Sequence, residues 1–391
     1  MVVALTNVAP RLRILHLNGR SDLGGGSTHT YRLLRAIDTR QFQMFVACPD
    51  EPPYFALLAQ IPGLRVFPLP LRHLRLANLI ALIRIVRTQR IECVHSQGKA
   101  AGIWARALKC FFPRLQVVHQ YHGIHYGRYP AWLQGSYLRF ERALSRLTDV
   151  VVHVSESEQQ QANRLRLCAV HKQRLIRNGV ETRRDLPLTL EQARLRLNVP
   201  TPRPICIVLA RYSYQKNLAC SFDVVARLER SETPVHFIVV GGADDVERHE
   251  VEAQVRQSGV AASVTLLGPR EDVFECLRAA DIYLSTSRWE GLPLGVLEAM
   301  SMGLPVVASR VTGHDGVVTP DCGFLVDADD VEGFARAVSR LAGDRDVCRR
   351  MGAAARERVS REFSLERMVA AHEALYRELA AARCTGARRG P

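Results

Sequence analysis

The chain reads as an α/β protein built from two doubly wound halves. Short apolar runs alternate with helical patterns along most of its length, which argues for parallel sheets with helices on both faces. At 391 residues it is too long for one ordinary core, so two domains are expected. The internal similarity is also of this kind: two Rossmann-like halves, each opening on a strand, a polar loop and a helix. The expected boundaries are a first domain over residues 1–185, a linker over 186–204, a second domain over 205–365 and a terminal helix and tail over 366–391.

In chain order, Arg13 to Asn18 (RILHLN) predicts the first strand. It runs into Gly19 to Gly26 and then a helical stretch from Thr28 to Ile37. A strand, a Gly-rich loop and a helix N-terminus can bring backbone N–H groups close to a phosphate or a sugar. Plain turn chemistry fits the same glycines, and no G-x-G-x-x-G or G-K-[ST] pattern is present. Further strands are expected at Met44 to Cys48, Arg65 to Pro68, Cys93 to Ser96, Gln116 to Gln120 and Asp149 to Val154, with Val152 to Glu156 ending the first sheet. The helix expected from Asn78 to Arg90 carries Arg84, Arg87 and Arg90 at threefold spacing, hence on one side, where solvation accounts for them.

His119, His122 and His125 form a local group at a strand-to-loop transition. A metal site is disfavoured, because the group does not lie on one face of a helix. The next segment, Arg128 to Arg146, mixes Tyr129, Trp132, Tyr137 and Phe140 with Arg128, Arg139, Arg142 and Arg146. That mixture suits an anionic membrane interface, and it also suits an amphipathic helix packed on the sheet.

Arg177-Asn178-Gly179 reads as a turn, and Thr182 to Pro204 as a linker with a short helix. The second half starts with a buried strand, Ile205 to Ala210. Arg211 and Lys216 follow it, before a helix from Leu218 to Leu228. Two cations beside a helix N-terminus suit a diphosphate; ordinary loop charges would look the same. Strands are then expected at His236 to Val240, Val264 to Leu267 and Asp281 to Ser285. Asp327 and Asp329 read as capping groups for a helix from Val331 to Leu341. Ser364 to Ala382 predicts a final helix.

Composition narrows the class. Residues 1–200 hold 29 Lys and Arg against 12 Asp and Glu, a net of +17; the remainder holds 24 against 27, a net of −3. A basic half beside a near-neutral one points to an anionic surface or ligand for the first domain. No RNP-like motif, finger spacing or basic tail accompanies it, so nucleic acid is not expected. The ten cysteines show no C-x-x-C pair and read as reduced packing thiols of a cytoplasmic protein. The first thirteen residues lack a signal-peptide pattern, and the longest apolar stretch, Leu76 to Val86, is too short to span a bilayer.

The most informative stretch is Arg288 to Ala308, RWEGLPLGVLEAMSMGLPVVA. Glu290 belongs to a loop after a strand, and Glu298 to the following helix about two turns on. Both carboxylates can point into the crevice beyond the strand ends, where a pair suits the vicinal hydroxyls of a ribose or a sugar. A helix-dipole partner for Glu290 and a solvated face for Glu298 fit the spacing equally.

This run resembles the E-x7-E signature of the retaining glycosyltransferases of family 4, flanks included. The resemblance covers nearly the whole chain and is strongest from Ile205 to Val326. It implies the GT-B architecture, with two Rossmann-like domains facing a central cleft. It further implies transfer of a sugar from a nucleotide diphosphate sugar (UDP- or GDP-linked) to an acceptor, with retention and without a cofactor or an obligatory metal. Arg211 and Lys216 match the family's Gly-Arg-(x)n-Lys-Asn element for the donor diphosphate, although Ala210 stands where Gly is usual. Glu298 matches the ribose ligand, Glu290 and His122 the groups at the donor sugar, and Gly25 and Gly26 the glycine loop lining the cleft. Arg177 to Glu181 resembles the family's Pro-Asn-Gly-Val-Asp turn before the interdomain linker. In Gly313-His314-Asp315-Gly316 the acidic residue is displaced by one from its place in many relatives, so no role is carried over.

Arginine dominates the cations, with lysine only at Lys99, Lys109, Lys172 and Lys216, a hint of a GC-rich bacterial genome. The expectation is therefore bacterial surface-polysaccharide assembly on a lipid-linked saccharide, by a peripheral protein on the cytoplasmic face of the inner membrane. Two other classes stay open: another GT-B enzyme such as a nucleotide-sugar 2-epimerase, and a basic binding protein without catalysis.

Overall fold

The computed structural model describes residues 11–125, 130–182, 187–199, 202–242 and 245–387. It divides into two compact units: residues 1–154, 161–176 and 368–391 form one, and 155–160 and 177–367 the other.

The first unit holds a sheet of seven strands: β1 Leu12–Asn18, β2 Phe42–Cys48, β3 Arg65–Pro68, β4 Cys93–Gln97, β5 Gln116–Gln120, β6 Val150–His153 and β7 Gln173–Leu175. Their order is β3-β2-β1-β4-β5-β6-β7, and every pairing is parallel. The central strands are apolar because helices cover both faces: Ile14, Leu15, Leu17, Val94 and Val117 are fully buried. The sheet does not end after β6 as expected. β7 adds beyond it, with Val151 beside Gln173. Its three residues, QRL, carry too little apolar signal to mark a strand.

The second unit holds β8 Ile205–Leu209, β9 His236–Val240, β10 Val264–Gly268, β11 Ile282–Ser285, β12 Val306–Ser309 and β13 Gly323–Val326. The order β10-β9-β8-β11-β12-β13 is parallel throughout and doubly wound. Successive connections from β8 and β11 depart in opposite directions along the sheet. A crevice therefore opens beyond the carboxyl ends of these two neighbours. Arg211 and Lys216 follow β8, and Glu290 follows β11, so the topology alone collects them.

Two helix readings need correction. The helix predicted to reach Arg90 spans Leu76–Thr88, and Arg90 lies past its end at φ 48°. Arg84 and Arg87 share the helix; Arg90 does not extend their row. The helix Val331–Gly343 is capped by Asp330, whose side chain accepts from the Gly333 N–H at 2.9 Å. Asp327 pairs instead with Arg310, and Asp329 accepts from Asn217. Nine of the ten cysteines, those from Cys48 to Cys348, are free thiols.

The second unit's core sets a testable stability scale. Phe222, on the helix Leu218–Leu228, is fully buried and meets the Phe237 ring edge-on at 6.3 Å. Phe222→Ala should cost about 3–5 kcal/mol, read as a lowered urea midpoint for this unit. A loss under about 1 kcal/mol would show that the core closes over the cavity.

Candidate active site

The loop after β8 is ordered by its own backbone. Asn217 takes a left-handed conformation (φ 52°, ψ 46°) and starts the helix Leu218–Leu228 without capping it by its side chain. The Asn217 amide instead donates to Asp329 at 2.8 Å, and its carbonyl accepts from the Thr286 hydroxyl at 2.8 Å. No acidic residue occupies the first turn, so the helix presents N–H groups and the positive end of its dipole there.

The loop after β11 lies against it. Arg288 N–H donates to the Gln215 carbonyl at 2.8 Å, and the Gln215 amide returns a bond to the Trp289 carbonyl at 2.8 Å. Between them Lys216 Nζ donates to Glu290 Oε1 at 2.7 Å, with the two side chains only 19% and 8% exposed. Burial works to raise the Glu290 carboxyl, but the Lys216 ammonium and then His314 oppose it, and the net position is below the usual carboxylate range. The ammonium carries three N–H groups and this bond uses one.

Glu290 is held from further sides. Its N–H donates to the Thr312 carbonyl at 3.1 Å. Gly313, at φ 94°, passes directly beneath; a Cβ there would stand 2.8 Å from the Glu290 Cβ. His314 is fully buried and donates Nδ1–H to the Ser309 carbonyl at 2.8 Å. Ser155 donates to the Gly291 carbonyl at 2.7 Å, and Asn178 to the Leu292 carbonyl at 2.9 Å. Glu298 lies on the helix Leu294–Ser301 and is also buried. Burial pushes the Tyr283 hydroxyl up, and both Glu298 and Glu290 are near enough to add to it. Gly295 lets this tyrosine reach the end of β8: a Cβ would meet Tyr283 Oη at 2.6 Å, while that hydroxyl accepts from Leu209 N–H at 3.3 Å. Arg211 follows β8 directly and is half-buried.

In the first unit, Gly25 and Gly26 open the helix Gly25–Ala36. A Cβ at Gly25 would meet nothing within 4 Å, and one at Gly26 only the His122 ring at 3.9 Å. Packing within this unit therefore does not demand glycine at either position. His122 stands at φ 57°, a region few side chains adopt, and its Nε2–H donates to Gln97 Oε1 at 2.5 Å. The three neighbouring histidines do not act as a group. His119 is buried and bonds to Ser96 at 3.0 Å, and His125 is exposed with its carbonyl bound by Lys99. Arg128 and Tyr129 lie outside the described residues. Among the described residues, no cluster of three or more His, Cys, Asp or Glu could hold a metal ion, and no helix is long and apolar enough to cross a membrane.

Sequence reasoning misses Gln215, His314, Ser155 and Asn178 as supports of Glu290. Asn178 carried a signal, since it sits in the Asn-Gly turn, but its partner lies 114 residues away.

Two doubly wound parallel sheets of this order define a GT-B type fold. Residues 23–184 match the family model described as Glycosyltransferase Family 4, and residues 191–358 the one described as Glycosyl transferases group 1. The chain belongs to the family 4 glycosyltransferases and is a transferase enzyme. It is 23% identical over 398 residues to the UDP-Gal:alpha-D-GlcNAc-diphosphoundecaprenol alpha-1,3-galactosyltransferase of Escherichia coli, covering 94% of this chain and 97% of that one. In fold it is similar to sucrose-phosphate synthase from Thermosynechococcus elongatus, with TM-score 0.82 at 24% identity, covering 95% of this chain and 100% of the other. It is also similar to Anabaena HepE in complex with UDP-glucose, with TM-score 0.81 at 21% identity, covering 94% and 100%.

The Lys216–Glu290 pair predicts a pH signature. Lys216→Met leaves Glu290 buried without its cation, which should cost about 3 kcal/mol near neutral pH. The unpaired carboxyl then has a folded pKa above its unfolded one. Its penalty is absent at low pH and grows as pH rises. The stability deficit of Lys216→Met should therefore shrink at about pH 4, where the carboxyl takes a proton. Thermal melts at both pH values check this, and a deficit independent of pH would contradict the pairing.

Proposed function

We propose that the protein transfers a sugar, with retention of anomeric configuration, from a nucleoside diphosphate sugar to a saccharide carried on a lipid. The observation that carries this reading is the Lys216–Glu290 contact beside an uncapped helix N-terminus at the β8/β11 crevice. Breaking the bond from the anomeric carbon to the diphosphate oxygen builds negative charge on the leaving group. Arg211, Lys216 and the helix N–H groups stabilise that charge as it forms. Glu298 holds the ribose hydroxyls. Glu290 and His122 hold the donor sugar, and the room at Gly25 and Gly26 is for ligand atoms. The acceptor hydroxyl bonds the anomeric carbon on the face the diphosphate leaves, and its proton passes to a departing phosphate oxygen. The E. coli relative, named for a UDP-sugar donor and a lipid diphosphate acceptor, supports these classes, as does the UDP-glucose complex of HepE.

Arg211→Ala and Lys216→Ala should each lower the transfer rate by roughly 10²-fold or more, the scale for losing one preorganised charge donor. Glu298→Ala should raise the donor KM with kcat little changed, while Glu290→Ala should act mainly on kcat. A panel of nucleotide sugars with and without acceptor reads both. Donor turnover that ignores the acceptor would favour the epimerase class instead.

An anionic membrane is the proposed surface on which the lipid acceptor is met. On the helix Ala131–Ser145, Trp132, Arg139 and Phe140 are exposed, and Trp132 is 73% so. Leu74, Leu76 and Ile80 form a second exposed apolar group beside Arg75. Each engaged cation adds about 1 kcal/mol near an anionic leaflet, screened over roughly 8 Å at physiological salt. The protein should sediment with anionic vesicles at low salt, less at high salt, and less when Trp132, Arg139 and Phe140 are replaced together. A protein that ignores anionic vesicles at low salt would argue for a soluble acceptor.

A further inference from the structure

The first unit has histidines in its core. His16 on β1, His95 on β4, His119 on β5 and His372 on the C-terminal helix Leu365–Ala387 are all fully buried. The His16 and His95 rings lie 4.9 Å apart between centres, and His95 stacks on His372 at 5.8 Å. His29, from the helix Gly25–Ala36, stands 5.4 Å from His372. The Tyr376 hydroxyl bridges the first pair, 3.1 Å from His16 Nε2 and 2.7 Å from His95 Nδ1. His119 is bonded to Ser96 at 3.0 Å. The helix Gly98–Phe111 passes so near it that a Cβ at Gly102 would stand 2.5 Å from the ring.

These contacts suit neutral rings. A hydroxyl has one proton, so it bridges two imidazoles when one donates to it and the other accepts from it. A proton added to the accepting ring turns its acceptor into a donor and leaves the hydroxyl proton without a partner. The neighbours oppose that proton as well. His16 faces His372, and His95 faces His16, His372, His29 and His122. His372 faces His122 and the Met368 carbonyl, and His119 faces Arg106, His122 and His153. None of these groups is a carboxylate that could pair with an imidazolium. Burial is the largest cause at each ring: His16 is lowered to about 3, His372 to about 4, and His95 and His119 well below the usual range.

We propose that this core is an acid switch, which opens the first unit under mildly acid conditions while the second unit keeps its fold. An unfolded histidine takes its proton at about pH 6.5. The folded rings of His16 and His372 do so only at about 3 and about 4. Between those values the unfolded chain binds more protons, so stability falls with pH. The loss starts as pH drops through about 6.5 and is complete below the folded values. Each ring lowers the folding equilibrium constant about 30-fold between pH 7.5 and pH 5. Four rings give on the order of 10⁶-fold, comparable with the whole folding constant of a small domain. Among the described residues, the buried histidines of the second unit are His236 and His314. Burial lowers both, but each faces a carboxylate that works the other way, Glu229 and Glu290 respectively. Acid therefore weighs less on that unit.

Hydrogen exchange of the full chain, read by mass spectrometry, separates the two units. Protection is compared at pH 7.5 and pH 5 after correction for the intrinsic effect of pH on exchange. Peptides from β1 and β4 should lose at least about 100-fold more protection than peptides from β8 and β12, and regain it on return to pH 7.5. His95→Gln and His372→Gln each remove one titrating ring. Each should shrink the acid-induced loss in β1 and β4 by about 30-fold. That loss is a difference between two pH values, so a variant merely less stable at both does not mimic the effect. His119→Gln gives the same reading from a ring outside the Tyr376 group, and serves where a His95 or His372 variant fails to fold. Equal losses in the two units, or a loss in β1 and β4 that no variant changes, would overturn the proposal.

Discussion

The ion pair between Lys216 and Glu290 is the constraint on which the second unit's site depends. A carboxylate this far from water is expensive, with a penalty of several kcal/mol that only a close cation and good hydrogen bonds can offset. The two loops are built to keep that cation in place. Gln215 and Arg288 stitch their backbones together on one side of the pair, and Thr286 and Asn217 do so on the other. Ser221 then bonds Thr286 at 2.8 Å and ties the arrangement to the helix Leu218–Leu228. A cation, a carboxylate and a helix N-terminus are thus fixed relative to one another before any ligand arrives. That is the condition under which charge stabilisation needs little reorganisation.

The same constraint explains glycines that look incidental. Gly313 has a left-handed backbone and passes so close to Glu290 that a Cβ would overlap it. Gly295 leaves room for Tyr283 to reach the amide of Leu209. Gly241, at φ 131°, would place a Cβ 2.0 Å from the Ala210 carbonyl, in the turn next to Arg211. These positions serve close backbone approach. Gly25 and Gly26 differ in kind, since their surroundings in the first unit could admit a side chain.

Much of the fold was legible because buried parallel strands are continuous apolar runs. HFIVV and ICIVL declare themselves, and their helices carry a clear period. QRL at β7 does not, because an edge strand of three residues needs little burial. GFLV at β13 and the helix Arg345–Glu362 also escaped, the latter for its many charges. The site residues were legible where the signal is local, as in Glu290 and Glu298 eight positions apart. The partnership of Lys216 with Glu290 spans 74 residues, and that of His16 with Tyr376 spans 360. No period or spacing encodes such pairs; only the folded chain does.

The buried histidines follow from the charge of their own half. Residues 1–200 carry a net +17, so a further fixed cation at the centre of that sheet would face both desolvation and repulsion. Histidine is the basic side chain that burial can neutralise near physiological pH, while keeping one donor and one acceptor. His372 shows the pattern on the C-terminal helix: it donates Nδ1–H to the Met368 carbonyl one helical turn back, and burial holds it at about 4. A lysine or arginine in these places would bring charge and no acceptor, and an apolar residue would bring neither role. The unit can therefore be strongly basic outside and hydrogen-bonded inside with its histidines neutral; Arg106, a cation fully buried beside His119, is paired with Glu141 at 3.3 Å. The amphoteric imidazole is what reconciles the two.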